Sequence, residues 1–140
     1  MIGRTYNEIQ IRDAEEFTKT VTESDVYLYA GVTGDLNPAH INEVYAKGTF
    51  FKSRIAHGML SGGFISAVLG MKLPGPGTIY LSQQLEFKAP VRINDTVTAR
   101  AEVVEKLEKN RIRLRTTCTN QDGTLLIDGH AMVMPPKAQS

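Results

Sequence analysis

The 140-residue sequence predicts an α+β domain, one apolar helix followed by a run of antiparallel strands, and three observations carry that expectation. First, Ala56 to Met71 is almost uncharged and long enough for a helix buried inside a fold. Second, Pro74-Gly75-Pro76-Gly77 ends that helix abruptly. Third, the four segments beyond it read as strands separated by turn residues. With 41% hydrophobic residues, a chain of this length fills one core without disulfides. One domain over 1–140 is expected, with 1–14 as an N-terminal segment and Pro135 to Ser140 as a frayed tail.

In chain order, Phe17, Lys19 and Val21 alternate as a short strand would. Thr22 reads as a helix N-cap, with Glu23 and Asp25 where the helix dipole favours acids. Val26, Tyr29, Ala30 and Thr33 follow at helical spacing, and Gly34 terminates the helix. Asn37-Pro38 then breaks any helix, because the residue before a proline avoids the helical region. A short helix from Asn42 to Lys47, ended by Gly48, is expected next. The long helix contains Gly58, Gly62, Gly63 and Gly70, each costing up to about 1 kcal/mol relative to alanine. Close approach of the helix to a sheet or a ligand would compensate. The strands are expected over Thr78 to Lys88, Asp95 to Glu105, Arg111 to Asn120 and Thr124 to Met134, as an antiparallel meander. Turns fall at Asn94-Asp95, Glu108-Lys109-Asn110 and Gln121-Asp122-Gly123.

Composition excludes several classes of function. Sixteen Lys/Arg against fifteen Asp/Glu give a net charge of +1, so nothing points to nucleic acid or an anionic membrane. The single cysteine, Cys118, rules out an internal disulfide and a thiolate zinc site, and its alternating surroundings make it an ordinary strand residue. Residues 1–10 lack the apolar core of a signal peptide, and no apolar run reaches membrane-spanning length. A soluble protein of a reducing compartment, the cytoplasm, is expected. No phosphate loop, dinucleotide fingerprint, serine nucleophile elbow or metal-spaced His/Cys cluster occurs.

The densest polar cluster is Asp35, Asn37 and His40. On a regular helix Asp35 and His40 would diverge; with Asn37-Pro38 between them they can converge on one volume and hold a water as a general acid–base pair. The same residues also suit a Gly-Asp turn with an Asx-type hydrogen bond. At the start of the apolar helix, exposed N–H groups around Gly58 can stabilise negative charge on a carbonyl oxygen, or can simply be capped. His57 reads as a packing or capping residue and His130 as structural, leaving His40 as the histidine placed for chemistry. Ser66, two turns beyond Gly58, either faces the same site or bonds back to the helix.

Tyr29-Ala30-Gly31-Val32-Thr33-Gly34-Asp35-Leu36-Asn37-Pro38-Ala39-His40, followed by five residues and Ala46, resembles the signature of the MaoC-like R-specific enoyl-CoA hydratases. Arg54-Ile55-Ala56-His57-Gly58-Met59-Leu60 and Phe87-Lys88-Ala89-Pro90-Val91 are similar to the same family, and the resemblance runs from Glu15 to Met134. It implies a hot-dog fold, a curved antiparallel sheet wrapped around one long central helix, paired into a homodimer. It also implies reversible hydration of trans-2-enoyl-CoA to R-3-hydroxyacyl-CoA without metal or organic cofactor, the substrate itself carrying coenzyme A. Asp35 and His40 match the catalytic pair, Gly58 the amide that binds the thioester oxygen, Ser66 a serine beside the site, and Asn37 a residue holding the turn. The same fold also admits an acyl-CoA thioesterase or a non-catalytic acyl-CoA binding module. Leu69, Met71, Leu73 and Leu81 are candidates for the acyl tunnel, and Lys52, Arg54, Lys88 and Arg92 for the coenzyme A phosphates.

Overall fold

The computed structural model describes residues 1–139 and contains one five-stranded antiparallel sheet with a long helix against it. Strand β1 spans Ala14–Thr20, earlier than the Phe17–Val21 alternation by itself indicates. Helix α1, Glu23–Thr33, starts as its sequence requires: Thr22 Oγ1 accepts the Asp25 N–H while Asp25 Oδ2 accepts the Thr22 N–H. Gly34 closes it in the left-handed region, φ +82°, where a Cβ would be strained.

Two short helices follow where one was expected. Asn37 caps α2, Pro38–Ile41, and Asn42 caps α3, Glu43–Lys47, each through its side-chain oxygen. Proline at the first helical position explains the extra turn, since its missing N–H would be unpaired there anyway. Helix α4 runs Gly58–Met71, two residues shorter at its start than expected, because Ala56 gives its N–H to the Val91 carbonyl instead.

The remaining strands are β2 (Ile79–Phe87), β3 (Thr96–Leu107), β4 (Arg111–Thr119) and β5 (Leu125–Met134), all where expected to within two residues. Their order corrects the expected four-strand meander. The sheet reads β1-β3-β4-β5-β2, so only β3, β4 and β5 form a meander and β2 lies at the far edge beside β5. The physical reason is the link from β2 to β3, residues 88–95, which is too long for a tight hairpin and crosses to the opposite end of the sheet.

α4 lies across the sheet and packs chiefly on β3. Val97, Ala99, Ala101 and Val103 of β3 are fully buried beneath it, as are Ile112 and Leu114 of β4 and Val133 of β5. α4 contributes Phe64, Ile65, Val68 and Leu69. The helix is nonetheless not enclosed all round: Met59, Gly63, Ser66 and Met71 face outward, and Met71 is 67% exposed. Cys118 is buried among the core strands, where burial pushes its thiol pKa up to about 12. The expected frayed tail begins later than Pro135. Pro135 and Pro136 are buried, with Asn110 Nδ2 donating to the Pro135 carbonyl, and exposure starts at Lys137; Ser140 lies outside the described residues.

Gly129 sits where β5 meets β2, and a Cβ there would lie 2.0 Å from the Gln84 carbonyl oxygen. Gly129→Ala must therefore push β2 off the sheet and should cost about 3 kcal/mol. Urea denaturation checks this, and a wild-type midpoint would contradict it.

Candidate active site

The segment between α1 and α4 folds over the end of the central helix and encloses a cleft of about 500 Å³. Tyr29, Asp35, His40, His57, Gly58 and Phe87 are among the residues that line it. A succession of local hydrogen bonds shapes its polar wall. Asp35 N–H donates to Thr33 Oγ1 at 3.2 Å, Asn37 N–H to Asp35 Oδ1 at 3.2 Å, and Ala39 N–H to Asn37 Oδ1 at 3.1 Å. Asp35 thus forms the Asx-type turn, and Asn37 holds the start of α2 as expected. The turn and the acid–base pair are not alternatives, because Asp35 Oδ2 stays free of the turn.

His40 is buried on α2, and its Nδ1 lies 2.7 Å from the Ile55 carbonyl oxygen. A carbonyl only accepts, so Nδ1 carries hydrogen and Nε2 is the atom free to exchange a proton. Ile55 also donates its own N–H to the Ala39 carbonyl at 3.2 Å. Through these two contacts the strap before α4 grips the turn that bears His40.

His57 lines the same cleft as His40, although the sequence singled out His40 alone among the histidines as placed for chemistry. It is 3% exposed, and its ring stacks on His40 with centroids 3.8 Å apart and planes tilted by 31°. Tyr29 covers it at 4.7 Å. Its Nε2 lies 2.9 Å from the Asp35 main-chain oxygen and 4.0 Å from Asp35 Oδ2. Nε2 therefore donates to the Asp35 carbonyl, while Nδ1 is buried with no hydrogen-bond partner among the described residues. The expected capping role is absent, since His57 makes no side-chain cap bond to α4. Its position directly before the glycine-led helix was the available signal. For Tyr29, on the last turns of α1, helical spacing pointed only to packing.

By distance alone, Asp35, His40 and His57 could surround an ion, since one ligand atom from each lies within 4.8 Å of the others. The bonding argues against a metal cage. The two rings are stacked, so their lone pairs run side by side instead of converging, and His57 Nε2 is engaged by the Asp35 carbonyl. Geometry suits proton handling better. Asp35 is half-exposed at 51%, and its carboxylate lies a one-water span from the imidazole nitrogens.

Gly58 opens α4 and lines the cleft, and the residue before it, His57, makes no side-chain cap bond to the helix's first N–H groups. A Cβ on Gly58 would sit 2.7 Å from Cε1 and 2.8 Å from Cδ1 of Phe87, so one edge of that ring occupies the space a side chain would need. Other candidates fall elsewhere. Ser66 is exposed on α4 and does not line the cleft of the single chain. Leu69 and Leu73 are core residues, and Met71 and Leu81 are exposed; none of the four lines the cleft. Of the four basic residues, Lys88 borders the cleft and pairs with Glu86, and Lys52 is exposed. Arg54 is engaged by Glu23 and Glu43, and Arg92 by the Phe51 carbonyl and Ser53. His130 is exposed on β5, away from the cleft.

A hot-dog sheet and helix carrying an Asp/His pair beside a glycine amide define a class, and comparison with known proteins agrees. Residues 7–123 match the family model described as a MaoC like domain, and the chain belongs to that family. It is 56% identical over 137 residues to an (R)-specific enoyl-CoA hydratase of Rhodospirillum rubrum, covering 97% of this chain and 94% of the relative. It is 46% identical to a 3-hydroxybutyryl-CoA dehydratase of Methylorubrum extorquens, covering 96% and 85% of the two chains. Among solved structures, the unliganded R-hydratase PhaJ1 of Pseudomonas aeruginosa superposes with a TM-score of 0.93 at 47% identity, over 97% of this chain and 88% of the other.

Gly58→Ala should displace the Phe87 ring and cost about 1–3 kcal/mol. A crystal structure of the variant checks this; an unmoved ring over an unmoved backbone would contradict it.

Proposed function

We propose that this protein is an R-specific enoyl-CoA hydratase, a hydro-lyase that adds water reversibly to trans-2-enoyl-CoA to give R-3-hydroxyacyl-CoA. The observation that carries the reading is the convergence of the Asp35 carboxylate and the His40 imidazole on a cleft that also holds the N-terminal amide of α4. The names of the relatives supply the substrate class and the hand of the product.

In the proposed reaction, water lies between Asp35 and His40. Asp35 takes one proton from it as the oxygen bonds to C3, and the C2–C3 π electrons move toward the thioester carbonyl. The Gly58 N–H at the dipole end of α4 stabilises the resulting enolate oxygen; one such donor typically lowers the barrier by about 3–4 kcal/mol. Asp35 passes that proton to the free Nε2 of His40, and Nε2 delivers it to C2 while Nδ1–H stays bound to the Ile55 carbonyl throughout. Delivery to C2 leaves the Asp35 carboxylate and the Nδ1–H imidazole as they began. Water and proton reach one face of the alkene, so the addition is syn. A carboxylate, an imidazole and an amide suffice, and coenzyme A arrives with the substrate.

Crotonyl-CoA should lose its near-ultraviolet absorbance on adding the protein, with no thiol released to a chromogenic disulfide, and the 3-hydroxy product should be R. Asp35→Asn keeps the turn acceptor at Oδ1 but removes the base, so turnover should fall by about 10³ with an unchanged circular dichroism spectrum. Thiol release in place of hydration would overturn the reading in favour of a thioesterase. Tight binding with no turnover would overturn it in favour of a binding module.

The protein is proposed to act in the cytoplasm, where acyl-CoA thioesters are made and consumed, and as a homodimer. Among the described residues strand β2 pairs only with β5, so its outer edge is open. Ile79, Tyr80, Leu81 and Phe87 on that strand are exposed, as are Met59 and Met71 of α4. A second copy covering this apolar edge by two-fold pairing satisfies both the backbone and the side chains. Light scattering should give about twice the 15.4 kDa chain mass. Leu81→Lys should shift that mass toward the monomer, and a monomeric wild type would contradict the pairing.

A further inference from the structure

Four polar contacts meet at Arg54, which lies outside the cleft. Its Nε donates to Glu43 Oε2 at 3.1 Å, its Nη2 to Glu23 Oε1 at 2.8 Å and its Nη1 to the Tyr27 hydroxyl at 2.9 Å. The Arg54 main-chain N–H reaches the same Glu43 oxygen at 3.3 Å. The Tyr27 hydroxyl in turn donates to Glu23 Oε1 at 2.8 Å, and the guanidinium lies 5.7 Å from the centre of the Tyr27 ring. With its side chain only 14% exposed, Arg54 is a held residue.

The partners sit on two separate elements. Glu23 and Tyr27 lie one turn apart on α1, whose far end leads into Gly34-Asp35. Glu43 opens α3, three residues after His40. Arg54 itself precedes Ile55, whose carbonyl fixes His40 Nδ1. The same strap carries His57, which holds the Asp35 carbonyl, and Gly58, whose N–H starts α4. One planar fork therefore ties together the three segments that place the carboxylate, the imidazole and the amide.

We propose that Arg54 is a positioning residue for the hydration reaction: by pinning α1 and α3 to the strap 54–58 it sets the aim of His40 Nε2 against Asp35. This rests on the hydratase reading. Three of its five N–H donors are engaged by Glu43, Glu23 and Tyr27, and the two carboxylates balance its charge, which disfavours it as a contact for substrate phosphate. Lysine, a point charge without the fork, reaches one of these partners at a time. A displacement of about 1 Å in the strap is enough to cost on the order of 10²-fold in rate.

The test compares wild type, Arg54→Met, Arg54→Lys and Glu43→Gln by steady-state kinetics with crotonyl-CoA, alongside 15N shifts of the His40 ring. Arg54→Met should lower kcat by about 10–100-fold with KM within about twofold, and Arg54→Lys should recover part of the loss. In wild type the His40 hydrogen should reside on Nδ1, and in Arg54→Met the ring should sample both tautomers. If Arg54→Met does not fold, Glu43→Gln weakens the same junction and carries the same expectation on kcat and on the ring nitrogens. Wild-type kcat, a loss confined to KM, or unchanged His40 shifts in the folded variants would overturn the proposal. An inactive wild type overturns the hydratase reading instead, and the His40 shifts still report on the strap.

Discussion

The hydrogen bond between His40 Nδ1 and the Ile55 carbonyl is the junction on which the site depends. It joins the helical turn after Asn37 to the strap that becomes α4, two pieces of chain with no regular secondary structure in common. Because a carbonyl accepts and never donates, the bond also selects the tautomer and turns Nε2 toward the cleft. Ile55 N–H to the Ala39 carbonyl makes the contact reciprocal, and Ala56 N–H to Val91 anchors the strap to the segment leaving β2. Remove that junction and the sheet can survive, but the carboxylate, imidazole and amide lose their common frame.

The framework was largely legible in the sequence because its signals are local. Thr22 and Asp25 announce the start of α1, Gly34 its end, and the alternation through Val97, Ala99, Ala101 and Val103 marks an inward face of a strand. What stayed hidden is long-range. Nothing within β2 says that its partner is β5, 40 or more residues on, since Ile79 to Phe87 would suit β3 as well. The apolar character of α4 indicated burial on all sides, yet a helix can be apolar because its outer face meets something beyond one chain.

The same distinction holds inside the site. Asp35, Asn37 and His40 were readable because a proline between them forces the chain to fold back within six residues. His57 was not, since its meaning comes from stacking on a ring 17 positions earlier. Arg54 gave a misleading signal for a similar reason. A basic residue near a cleft looks available until Glu23 and Glu43 are seen to occupy it. Ser66 and the guessed tunnel residues failed to reach the cleft because spacing along a helix fixes a face and a height, not what stands opposite.

Burial of Cys118 has a chemical consequence under the proposal that the substrates are thioesters. A thioester transfers its acyl group to any accessible thiolate, and an exposed cysteine near the cleft would become acylated during turnover. Here the only sulfhydryl is enclosed in the core, donates weakly to the Ser61 carbonyl, and ionises only at about 12. The chain thereby presents no competing nucleophilic sulfur to an activated acyl group. It can hold a reactive ester for many cycles without becoming a recipient of it.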